Sequence, residues 1–151
     1  MRTMSVAIAA AAALAAPAAA QAQPVKQDFC HGLQRVVEAA RDKGGFLFLE
    51  RAHAAPPHLD FRHGCRATGD ERRQYWLCTQ NLAPEQMSRE ALTARVAACL
   101  PEAVRSTGDY GHESVFTLPQ AQIRISERGG PMAKVGRIVT LVVEATTAPQ
   151  P

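Results

Sequence analysis

Apolar and polar positions change period several times along this chain, and each change marks an element. Over residues 27–43, Phe29, Leu33, Val36, Val37 and Ala40 fall on one side of a 3.6-residue repeat, which predicts an amphipathic helix. Asp28 near its start and Arg41 and Lys43 near its end suit the helix dipole, and Gly44-Gly45 is a stop signal. Cys30 sits at the edge of the apolar face, and Gly32 is a mild cost within it.

The pattern then shortens. Residues 46–50, Phe-Leu-Phe-Leu-Glu, are apolar and follow glycine, so a buried strand is expected there. Residues 51–59 hold Pro56-Pro57 and no period, which predicts a loop. Phe61, His63 and Cys65 alternate as one face of a second strand, and residues 68–71 are turn material. Residues 74–78, Gln-Tyr-Trp-Leu-Cys, are a third strand of β-favouring composition. The second and third strands make a hairpin, with Cys65 facing Cys78 if the loop centres near Glu71 and Arg72.

Residues 88–100 carry Leu92, Val96 and Cys99 or Leu100 at helical spacing, with Ser88 as N-cap and Pro101 as terminator. Residues 102–113 are rich in Ser, Gly and Asp and read as a connection. Strands are expected at 114–118 and 122–126, a turn at Gly129-Gly130-Pro131, and the strongest strand at 136–144. In that last strand Ile138 and Val142 occupy one face and Val139, Leu141 and Val143 the other, which argues for a central place in the sheet. The predicted order is α-β-β-β-α-β-β-β. This is an α+β domain, an antiparallel sheet with two helices packed on one face.

The N-terminus is of another kind. Between Arg2 and Lys26 there is no charge, and residues 6–16 are an alanine-rich apolar run. Pro17 follows, then Ala20-Gln21-Ala22, a small-x-small site. Together these are the parts of a cleavable secretory signal peptide over residues 1–22. The apolar run falls short of the roughly 20 residues that a membrane-spanning helix needs. The expected mature chain is one domain over residues 23–145 with a disordered tail at 146–151. It has no later segment able to span a membrane. Fourteen arginines against three lysines, and Asn81 as the single asparagine, suggest a GC-rich bacterial genome. The expected location is therefore the periplasm, with secretion to the medium as the alternative.

Charge narrows the function little. The mature chain keeps 16 basic and 14 acidic residues, interspersed, and this balance argues against nucleic acid as a partner. The four cysteines, Cys30, Cys65, Cys78 and Cys99, say more. An even count in an exported chain implies disulfides, and no Cys-x-x-Cys pair offers a redox or zinc motif. The favoured pairing is Cys65–Cys78 within the hairpin and Cys30–Cys99 between the helices. Cys30–Cys78 with Cys65–Cys99 stays open as the alternative.

Three groups of residues are candidates for chemistry. His53, His58 and His63 share a proline-rich loop and could hold Zn²⁺ or Cu²⁺, although a spacing of five puts them on neither a helix face nor a strand face. His112-Glu113-Ser114 brings a base, an acid and a hydroxyl together in sequence, but strand alternation sends neighbours to opposite faces, against a small hydrolase. Trp76 with Arg72 and Arg73 could form a partner contact on the hairpin, since aromatics and arginine are enriched at binding hot spots. Alternation lets only one of Tyr75 and Trp76 face outward. With no catalytic or cofactor motif, the expectation is a non-catalytic binding or structural protein for an unknown protein or small ligand. A metal-binding protein is the runner-up and a small hydrolase the third reading.

Overall fold

The computed structural model describes residues 24–51, 57, 59–61, 64–70, 73–82, 88–108, 111–129 and 136–146. The expected signal peptide, the histidine loop positions 53, 58 and 63, and most of the expected tail lie outside them. Three helices and six strands follow one another as α1 (Pro24–Ala39), α2 (Gly45–Arg51), β1 (Cys65–Gly69), β2 (Gln74–Leu82), α3 (Arg89–Cys99), β3 (Val104–Thr107), β4 (Glu113–Thr117), β5 (Ala121–Arg128) and β6 (Arg137–Ala145). The strands form one antiparallel sheet in the order β1-β2-β6-β5-β4-β3. The α+β class, the antiparallel sheet and the central place of β6 are as the sequence predicts.

The helical side is built from periodic faces. Phe29, Leu33, Val36, Val37 and Ala40 of α1 and the turn after it are buried with Leu92, Val96 and Cys99 of α3. Ser88 caps α3, its hydroxyl accepting the Ala91 N–H at 3.1 Å. From the sheet, the same core takes Trp76, Cys78, Phe116, Ala121, Ile123, Ile125, Val139, Leu141 and Val143. These are alternate residues of β2, β4, β5 and β6, so one face of the sheet is filled by helices.

Residues 46–50 are a helix, contrary to the expected strand. A strand would put Phe46 and Phe48 on the same face. In α2, Phe46 and Leu49 are buried three residues apart while Phe48 is 76% exposed. A four-residue apolar run fits either period, and here the turn before it decides. Gly44 has φ +79°, and a Cβ on Gly45 would lie 1.9 Å from the Ala39 carbonyl oxygen, so the chain doubles back tightly enough to start a helix on the core.

Two strand expectations shift. Phe61 is buried but lies outside the sheet, and β1 begins at Cys65. Residues 104–107, expected within a connection, form β3 on the sheet edge. All four are exposed, so this strand buries no side chains and leaves no period to read. Backbone pairing with β4 alone makes it a strand.

Both favoured disulfides are present. Cys65 and Cys78 are direct cross-strand partners with Cα atoms 4.2 Å apart, in the register whose midpoint falls between residues 71 and 72. Cys30–Cys99 ties α1 to α3 with Cα atoms 5.0 Å apart. No helix among the described residues is long and apolar enough to cross a membrane.

Candidate functional site

The second face of the sheet carries the other parity of each strand. Tyr75 and Leu77 of β2, Ile138, Thr140, Val142 and Glu144 of β6, and Gln122, Arg124 and Ser126 of β5 are half-buried there, and no described helix lies over them. Val115 of β4, opposite Arg124, is buried on this side outside the main core.

Cross-strand register orders the middle of this face. Ile138 stands opposite Arg128, Thr140 opposite Ser126 and Val142 opposite Arg124. Directly opposed side chains on one face touch or nearly touch, so each arginine has an aliphatic neighbour and the two hydroxyls are adjacent. These six, with Tyr75 and Glu113, line a groove of about 460 Å³. That size falls within the roughly 300–1,000 Å³ of small-molecule sites.

The charges in and beside the groove are unequally engaged. Glu144, its side chain only 13% exposed, is shared between Arg73 at 2.9 Å and Arg124 at 2.6 Å. Arg128 forms no ion pair with a described residue. The Glu113 side chain leans toward β3, where a Cβ on Gly108 would come within 2.9 Å of its Oε2. Of the two groove arginines, Arg124 is thus engaged by Glu144, and Glu113, opposite Ser126, is the one carboxylate among the lining residues.

Of the residues predicted for a partner contact, Trp76 is in the core, 1% exposed, and its indole N–H has no hydrogen-bond partner among the described residues. Tyr75 takes the outward position instead. Arg73 is 70% exposed and reaches Glu144 at the groove's end, and Arg72 lies outside the described residues. The His112-Glu113-Ser114 run is split by the sheet. Glu113 lines the outer groove, whereas Ser114 points inward and accepts the Thr93 hydroxyl proton at 3.0 Å under α3. Among the described residues no three of His, Cys, Asp and Glu cluster as metal ligands, and the three loop histidines lie outside that set.

Arg124, Ser126, Arg128 and Thr140 are the groove residues that sequence reasoning passed over. Their signal was the polar half of two alternating strands, which on its own also describes any solvated sheet face. A smaller cavity of about 210 Å³ lies by the Cys30–Cys99 bridge, bounded by Phe29, Ala94, Arg95 and Ala98. There the Arg95 guanidinium stacks 4.1 Å from the Phe29 ring centre and bonds Asp60 at 2.5 Å, which ties the segment around residue 60 to both helices. Compared with protein-family models, curated proteins and solved structures, the chain finds no match.

Proposed function

We propose that this is an exported, non-catalytic binding domain, working in the periplasm or released to the medium, that receives its ligand on the outer face of the sheet. The observation that carries the reading is the groove of about 460 Å³ on the side opposite the helices, where aliphatic, hydroxyl and guanidinium groups converge. The helical side is spent on the core and on both disulfides. The outer side leaves half-buried Ile138 and Val142 beside the Arg124 and Arg128 side chains, so that apolar and charged contacts are offered together there. Export is supported by the signal-peptide pattern of residues 1–22 and by two disulfides, which persist in oxidising compartments.

The test is native mass spectrometry of the protein recovered from the periplasm of a bacterial host, compared with a Thr140→Arg variant that fills the groove. The expected result is a mature chain starting near Gln23 that retains an added mass, and a variant that has lost it. Equal retention by both forms would overturn the assignment to this face. Turnover in a hydrolase screen, abolished by substituting Ser126, would overturn the non-catalytic reading. A retained zinc or copper ion would move the function to His53, His58 and His63.

A further inference from the structure

We infer that the ligand of the outer groove is a small carboxylate-bearing amphiphile, with its carboxylate at Arg128 on β5 and its apolar body along Ile138, Val142 and Tyr75. This rests on the binding reading above and specifies its chemistry. The two walls of the groove differ. On the β5 side Arg124, Ser126 and Arg128 point the same way, two residues apart, so the guanidiniums bracket a hydroxyl along roughly 13 Å of strand. On the β6 side their direct partners are Val142, Thr140 and Ile138, and the register sets Tyr75 opposite Glu144 one strand further on.

Charge complementarity selects the ligand. Glu144 is already shared by Arg73 and Arg124, and Glu113, opposite Ser126, is the one carboxylate among the lining residues, with its Oε2 beside Gly108; Arg128 forms no ion pair with a described residue, so it is the guanidinium that an anion can take. Arginine presents a planar fork matched to a carboxylate, and the Ser126 and Thr140 hydroxyls supply further donors beside it. A cationic amphiphile would meet the guanidiniums with like charge. A neutral one would leave Arg128 unmatched, and a bare inorganic anion would leave Ile138 and Val142 in water.

The experiment titrates the full mature protein with three probes, followed by ¹H–¹⁵N NMR: laurate and dodecyltrimethylammonium below their micelle-forming concentrations, and inorganic phosphate. The expected result is saturable shifts with laurate, centred on the amides of Ser126, Arg128, Ile138 and Thr140. Dodecyltrimethylammonium and phosphate should bind at least about tenfold more weakly. Arg128→Glu should weaken laurate about tenfold or more, whereas Arg41→Glu, the same charge change on the exposed turn after α1, should leave it unchanged. Equal binding of the two dodecyl probes at this face would overturn the carboxylate assignment while leaving the binding reading standing. Equal weakening by the two charge reversals would overturn it too, by reducing the effect to net charge. Absence of saturable shifts with laurate also overturns it, and the retained mass in the native spectrum then decides the binding reading separately.

Discussion

Glu127 on β5 accepts the backbone N–H of Arg89, the first residue of α3, at 3.1 Å. A strand side chain thereby satisfies one of the donors that every helix N-terminus leaves open. The same carboxylate also accepts from Arg137 Nε of β6 at 2.5 Å. Ser88 serves the next donor but one, so two acceptors from different elements fix where α3 begins and how it lies on the sheet. Because β5 and β6 also carry the outer groove on their other face, this contact couples the placement of the helix to the strands that shape the groove.

Replacing Glu127 by alanine should lower stability by about 1–3 kcal/mol, since it leaves the Arg89 amide and the Arg137 guanidinium without their acceptor. Glu127→Gln keeps an acceptor for the amide and should cost less. Urea unfolding followed by circular dichroism measures both. Equal loss in the two variants would mean that the charge on Arg137, and not the helix cap, is what matters.

Phe46→Ala should destabilise the domain by about 3–5 kcal/mol, whereas Phe48→Ala should stay within about 0.5 kcal/mol. Phe46 is 1% exposed and Phe48 is 76% exposed. Comparable losses at both positions would restore the strand alternation over residues 46–50 and count against α2.

Removing the two disulfides should have unequal effects. Cys30–Cys99 spans a sequence separation of 69 and Cys65–Cys78 one of 13. By loop-closure entropy the first stabilises by about 4 kcal/mol and the second by about 3 kcal/mol. Paired Cys→Ala variants, unfolded by heat, should therefore show the larger drop for the helix pair. The hairpin variant should keep its register, because Ala67 and its partner Trp76 still face the core across β1 and β2.

Glu90, in the first turn of α3, is held below its ordinary value near 4.5 by its own backbone N–H and then by Arg89, which bonds its Oε1 at 3.0 and 3.2 Å. A folded value below the unfolded one means that the unfolded chain takes up the proton first. This contribution is therefore present above pH 4.5 and is lost as the pH falls through the lower folded value. Glu90→Gln should flatten that part of the acid limb of stability against pH. An unchanged limb would show that the bonds to Glu90 do not persist in solution.

Legibility followed burial. The helical face of α1, the Ser88 cap and the two-sided β6 could be read because each writes a period or a cap residue into the sequence. The hairpin register followed from two cysteines and a turn between them. β3 was not legible, because Val104 and its neighbours bury nothing. α2 was not legible either, because four apolar residues in a row fit both periods and only the close approach of Gly45 to Ala39 selects one. At the candidate site, Trp76 and Tyr75 were recognised as a pair of opposite orientation, but adjacency in sequence does not say which of the two faces the helices.

The class of domain, most of its elements and, through the favoured pairing, both disulfides are written in the order of the residues. These rest on local periodicity and on chemistry that neighbouring residues specify. The pairing of β5 with β6 sets Arg124, Ser126 and Arg128 beside Val142, Thr140 and Ile138 in one groove, with Glu144 shared by two arginines and Arg128 forming no ion pair with a described residue. Those relationships depend on the register between β5 and β6 and on which face the helices cover. Both are set by the packing of the whole core, and no stretch of the chain short enough to read locally contains them.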